Sequence, residues 1–530
     1  MRIRRALAAL VSLFLVSCAS NGVSAPSGTP STVVELLPKR PPVPSSAAAA
    51  VPAPADVNEY EITARIDDPD NRIISGAVRV DYRNRSDISL SSVFFNLRAN
   101  GLRRGSAVRP YFDDQAPKVF GIGALGDWDL SALPDGRFGY IVVETVTRAS
   151  EELRYTVSGT VMEVVLPEAL SPGESVQITM KFTARPPLAN TRVGSDGSSM
   201  WFASVFPVAA VFDGAWRTEP VYPKSGSYFS DAANYNVRIK VPDGVTVVGA
   251  GQASETADYG EREAVFRARM VRDFPFAVLR GYVRTDGQSD SGVQVSAYTR
   301  AGAGTDAADL VRAASESVDY MSETIAPFPL QSLGVVEVGL DGATAEAFSG
   351  LVFVDRDLAA SGDYDYQIAR AVAACWFGGG VGFDPARDPW LGEGIRGALA
   401  ELLTHESESW PRGWRESLSE RLVQARGSLR DPLSSYRASQ DFEDGCETKS
   451  MLMMIALEEK LGAEAFRGVL REMYESSYTR FADADVFIEI ASNAAKRRGV
   501  IASEFFEEWL DQPGLPDGYP GQTNTSKGGN

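Results

Sequence analysis

The sequence predicts an α+β chain in which an antiparallel β domain precedes a mainly helical one. Two observations carry this. From Tyr60 to about Thr299 the apolar residues recur with a period of two, and beyond Gly304 the period becomes helical. Many short strands with turn signals between them suit a large antiparallel β domain.

The β elements come first. Tyr60-Glu61-Ile62-Thr63-Ala64-Arg65-Ile66 and Gly76-Ala77-Val78-Arg79-Val80-Asp81-Tyr82 alternate as half-buried strands do. Ser175–Phe182 follows a Pro172-Gly173 turn, and Tyr235–Val241 ends at Pro242-Asp243-Gly244. Among the helices, Leu310, Ala313, Ala314 and Val318 share one face, as do Ile368, Val372, Cys375 and Trp376. Leu391–Leu403 and Met451–Leu461 follow the same period, and one strand-like run, Leu333–Val338, interrupts the helices. The β domain is expected over 58–299, the helical domain over 300–516, and a flexible tail over 517–530. Each domain is long enough for its own core.

The chain starts with Arg2, Arg4 and Arg5, then a short apolar run from Ala6 to Val16 ending in Leu15-Val16-Ser17-Cys18. A basic start, an apolar run too short to span a bilayer and a small residue before the cut describe a secretory leader, residues 1–17. The Leu-Val-Ser-Cys ending resembles a bacterial lipobox, in which Cys18 is lipidated and becomes the first mature residue. An ordinary secretory leader followed by a free thiol is the alternative. Ala19 rather than an acidic residue after Cys18 favours the outer over the inner membrane of a Gram-negative envelope. Residues 18–57 form the spacer: 19–57 hold eight of the thirty prolines, and no aromatic residue falls between Phe14 and Tyr60. Such a segment has too little apolar surface to fold. No other stretch is apolar and long enough for a membrane helix.

The net charge of −18 becomes −21 once the leader is removed, which argues against nucleic acid as a partner. Apart from Cys18 there are only Cys375 and Cys446, which either pair as a disulfide or stand as separate buried thiols. His405 is the only histidine in 530 residues. Histidine is the commonest ligand of catalytic zinc and the commonest general base, so neither device can be built here in its usual form.

Trp390-Leu391-Gly392-Glu393-Gly394 resembles the third-ligand motif of the aminopeptidase N and leukotriene hydrolase family of zinc metallopeptidases. Other fragments resemble the same family in the same order. They are Phe206-Pro207 with Asp213–Trp216, Ser230–Tyr235 with Val241-Pro242, Arg272–Ala277, and Ala326–Pro329 with Val335–Glu337. Trp376–Gly378 with Val381-Gly382, and Trp509-Leu510 with Pro513–Pro516, complete the set. The resemblance spans about residues 58–516 and implies a saddle-shaped β domain followed by a thermolysin-like helical domain.

The resemblance also implies where chemistry should sit. In the family eighteen residues separate the Glu from a His-Glu-x-x-His motif, and here the matching five residues are Arg370-Ala371-Val372-Ala373-Ala374. The two ligand positions thus hold Arg370 and Ala374, and the general-base position holds Ala371. Only Glu393 survives as a vestigial ligand, short of the three a catalytic zinc requires. The family's transition-state tyrosine falls on Glu447, in Glu447-Thr448-Lys449-Ser450, and the Glu that receives a substrate amine falls on Ala347, next to Glu346. Arg370 is expected to take over the metal's electrostatic role against Glu393 and Glu447, since an unpaired buried carboxylate is costly. A possible disulfide between Cys375 and Cys446 would flank the former site.

The expectation is a lipid-anchored envelope protein with an aminopeptidase-like fold and no peptidase chemistry. It would hold no cofactor and bind a peptide or protein between its domains, or act as a scaffold. The alternatives are a zinc-dependent metallopeptidase of that family and a purely structural envelope protein.

Overall fold

The computed structural model describes residues 57–519, apart from 107–111, 113, 115–118, 121–132, 219–227, 259, 303, 341–344, 359–363, 406–417, 419–420, 423–424, 426 and 518. These residues belong to one compact unit, Val51–Asn530. The leader, Cys18 and nearly all of the spacer lie outside the described residues. Among the described residues no helix is long and apolar enough to cross a membrane.

Alternation builds the first half. Asn58–Arg65 buries every second residue, with Tyr60, Ile62 and Ala64 inward and Glu59, Glu61 and Thr63 outward. This strand sits centrally in an eight-stranded sheet whose order runs Gln252–Asp258, Glu261–Val271, Ala233–Pro242, Asn58–Arg65, Ile74–Arg83, Ser175–Arg185, Tyr140–Arg148, Glu151–Glu152. Every pair in it is antiparallel except Asn58–Arg65 with Ala233–Pro242, which are parallel. That register puts Tyr60 beside Tyr235, their rings stacked 4.7 Å apart, and the Tyr60 hydroxyl accepts from the Ala209 amide at 3.0 Å. Two four-stranded sheets and a two-stranded one, Val211–Phe212 with Trp216–Arg217, complete the sheet-rich part among the described residues.

A five-stranded sheet then joins the two halves in the order Tyr282–Gln288, Gln294–Arg300, Ser332–Val338, Leu351–Asp355, Ala345–Phe348. Its inner strands are parallel, so the chain must cross over between them. Helix α1 (Ala307–Thr324) makes that crossover, capped by the Asp306 carboxylate on the Ala308 amide at 2.9 Å. The change of period near residue 300 therefore falls inside a shared sheet. The helical part continues with α2 (Tyr364–Ala373), α3 (Pro389–His405), α4 (Lys449–Leu461), α5 (Ala463–Ser477), α6 (Ala484–Arg497) and α7 (Ser503–Asp511). Each expected strand and helix appears with its bounds shifted by a few residues, but α2 ends at Ala373, so Cys375 and Trp376, expected on its face with Ile368 and Val372, lie in the turn that follows it. The fold class is α+β, sheet-rich then helical, as the sequence predicts.

Arg272 links the halves. It is fully buried, and its guanidinium donates to the carbonyls of Ser230 (2.8 Å), Gly379 (3.0 Å), Gly380 (3.3 Å) and Arg480 (2.6 Å). Its charge also lies 4.6 Å from the centre of the Phe481 ring. Burial pulls its pKa down to about 10, while Asp231 and Asp273 act in the opposite direction. Gly382 makes room for it: a Cβ there would fall 2.5 Å from the Arg272 guanidinium carbon.

Candidate functional site

The Trp390–Gly394 run lies in the first turns of α3. Pro389 opens the helix, where its missing N–H is no loss, and Trp390 and Leu391 are buried in the helical core. The glycines allow close approach. A Cβ on Gly394 would lie 2.9 Å from the Ser450 carbonyl oxygen, and one on Gly397 would lie 3.1 Å from Met451. Both contacts are to α4 or its first turn, so these glycines set how closely α3 lies against α4. Between Gly392 and Gly394, Glu393 is only 2% exposed.

Glu393 is fully engaged. Its Oε2 accepts from Arg370 Nη2 at 2.5 Å, and its Oε1 pairs with Arg396 Nη2 at 2.5 Å. Arg396, one turn further along α3, also donates from Nε to the Gly392 carbonyl at 3.0 Å. Arg370, on the last turn of α2, uses the same Nη2 to reach Glu447 Oε1 at 2.6 Å. Glu447 comes from a π-helical turn, Glu443–Thr448, that leads directly into α4. Such a widened turn changes which way successive side chains face.

The electrostatics follow from burial. Burial works against the charge on Arg370, but Glu447 and Glu393 outweigh it and hold the guanidinium above its ordinary value. Burial raises the Glu447 carboxyl; Arg370 draws it back only in part, and Glu393 pushes it up further. Next to the network, burial followed by repulsion from Glu393 and Glu447 lifts the Cys446 thiol well above the usual range. Burial pushes Cys375 up to about 12. Both are buried free thiols, so the pairing the sequence left open is not formed.

Ala371 and Ala374 are buried methyl groups in the helical core. On the edge strand, Ala345 and Ala347 pack into that same core, whereas Glu346 takes the other face and lies 3.0 Å from Arg192. Arg192 is 4% exposed, and its guanidinium faces the rings of Tyr228 and Phe348.

No protein-family model matches the chain, and no curated protein matches it either. Solved structures do. An M1 zinc metallopeptidase from Deinococcus radiodurans is similar at a TM-score of 0.62 and 18% identity, over 88% of this chain and 96% of the other. A point mutant of the M1 zinc metallopeptidase from that organism, bound to a Tyr-Ser-Ala substrate, is similar at 0.64 and 19%, over 87% and 95%. The chain has the fold of a two-domain M1 metallopeptidase.

Within this M1 fold the positions singled out from sequence converge. Arg370 and Ala371 lie in the last turn of α2, Ala374 in the turn just after it, Glu393 in α3, and Glu447 just before α4. Of these, Arg370, Glu393 and Glu447 form one ion network, while the two alanines join the apolar packing. Among the described residues no group of three or more His, Cys, Asp or Glu is placed to hold a metal. Sequence reasoning missed Arg396 and Arg192. Arg396 carried a signal, the i,i+3 spacing from Glu393; Arg192 carried none, because its partner Glu346 is far away along the chain.

Proposed function

We propose that the chain is a lipid-anchored bacterial envelope protein that uses an M1-type fold to bind peptide rather than to cut it. One observation carries this reading: the Arg370 guanidinium sits between Glu393 and Glu447, with a methyl group at Ala371 and another at Ala374. A catalytic zinc is bound by neutral or anionic donors, three from the protein, with a general base nearby. A permanently charged guanidinium and two methyl groups are a poor match to that donor set, and Glu393 already has two arginine partners. No resident cofactor is assigned.

Peptide binding is supported by the edge strand Ala345–Phe348. Among the described residues it has a strand partner on one side only, the edge position at which an extended ligand adds to a sheet. Anchoring rests on the Leu15–Cys18 ending and the proline-rich spacer. The reading is tested with purified mature protein by metal analysis, by assay of aminoacyl amides and by peptide retention. Substoichiometric zinc, no turnover and measurable peptide retention are expected. Stoichiometric zinc with turnover would replace this reading by that of a metallopeptidase, and loss of all peptide retention by that of a structural envelope protein.

A further inference from the structure

The network around Glu393 is electrically closed but not saturated in hydrogen bonds. Two arginines, Arg370 and Arg396, face two carboxylates, Glu393 and Glu447, so the formal charges cancel. Glu393 has both oxygens occupied and almost no exposure. Arg370 and Glu447 differ from it. Only Nη2 of Arg370 donates, to both carboxylates, and only Oε1 of Glu447 accepts from it. Arg370 Nε and Nη1 and Glu447 Oε2 make no hydrogen bond to a described residue, and the two side chains keep 21% and 25% exposure. Spare N–H donors therefore stand beside a spare acceptor oxygen.

Charge decides what such a pair receives. An ammonium group approaching Glu447 meets a guanidinium nitrogen already 2.6 Å from the carboxylate. A carboxylate approaching Arg370 meets two glutamates. Either charged group would be desolvated with no net field in its favour. A peptide amide carries no charge and offers one C=O and one N–H, the complement of the spare donors and acceptor. The nearby edge strand adds nothing for a charged terminus: Ala345 and Ala347 are methyl groups, and Glu346 is held by Arg192 at 3.0 Å.

We propose that the Arg370–Glu447 pair receives an uncharged peptide group, so that the ligand of this site is an internal or end-blocked segment and not a free peptide terminus. This rests on the peptide-binding reading above. The test uses the mature chain and two matched tripeptide mixtures, one with free ends and one N-acetylated and C-amidated, with retention read by equilibrium dialysis and mass spectrometry. The blocked mixture is expected to be retained about tenfold more strongly, the scale of one or two hydrogen bonds. Glu447→Gln leaves its one oxygen to Arg370 Nη2 and turns the spare acceptor into an N–H donor, and Glu447→Met removes both acceptors; each is expected to lose about tenfold, with melting temperature checked for both. Preference for the free-ended mixture, or unchanged retention in Glu447→Met, overturns the proposal. Retention of neither mixture removes the peptide-binding reading itself, and this inference with it.

Discussion

Arg370 and Glu447, 77 positions apart in the sequence, meet at 2.6 Å through a guanidinium nitrogen that also holds Glu393. The contact joins the end of α2 to the turn before α4, across the first turns of α3. It brings a carboxylate with a burial cost to a cation whose charge is secure over the whole accessible pH range.

Removing the cation should be severe. Arg370→Ala leaves Glu447 without its partner and Glu393 with Arg396 alone. A loss of about 3–5 kcal/mol is expected for breaking a buried pair from one side. Chemical denaturation measures it, and a change within 0.5 kcal/mol, the range of ordinary surface substitutions, would remove the metal-like role assigned to Arg370.

Removing the carboxylate should be mild or favourable. Burial outweighs Arg370 in setting the Glu447 pKa, which lies above its ordinary 4.5. The folded state then binds the proton more tightly than the unfolded one, so this group's contribution to stability falls as pH rises above 4.5. Glu447→Gln is expected to match or exceed the wild-type melting temperature at pH 7. The difference should shrink as pH is lowered towards 4.5. A variant clearly less stable at pH 7 would show that the attraction to Arg370 wins.

Lys449 titrates in the opposite sense. It is buried, its Nζ donates to the Gln512 carbonyl, and burial lowers its pKa from 10.5 to about 8. Between those values the unfolded chain holds more protons, so stability from this group rises with pH across the window. Lys449→Met should remove that rise. Denaturation midpoints of wild type and variant at pH 7.5 and 10 isolate it, because other titrating groups are common to both; parallel pH profiles would contradict it.

The glycines of α3 can be tested against an open position on α5. Gly394→Ala places a methyl group 2.9 Å from the Ser450 carbonyl oxygen and should cost about 1–3 kcal/mol, as overpacking does. Gly468→Ala meets nothing within 4 Å and should stabilise by about 0.5–1 kcal/mol through helix propensity. Equal effects at the two sites would mean that the close approach of α3 to α4 is not set by Gly394.

Much of the fold was legible in local pattern. The alternation around Ile62 and the helical period around Leu310 each report which face is buried, and burial is what both halves are built on. The parallel pairing of Asn58–Arg65 with Ala233–Pro242 was not legible, because pairing partners leave no mark on either strand's own alternation. Arg272 stood out in the sequence only as part of a fragment. Its role as the polar link between halves depends on four carbonyls from distant segments.

By itself the sequence determined which chemical groups stand at the site: Arg370, Ala371, Ala374, Glu393 and Glu447, in a chain with one histidine. Identity and spacing along the chain are one-dimensional properties, and a ligand set can be counted from them. Tertiary structure alone decided how those groups share charge. Arg396 closes the far side of Glu393, one nitrogen of Arg370 serves two carboxylates, and the thiols of Cys375 and Cys446 stay apart. Coulomb attraction and desolvation act over a few ångströms in space, and only the packing of α2, α3 and α4 brings those distances into range.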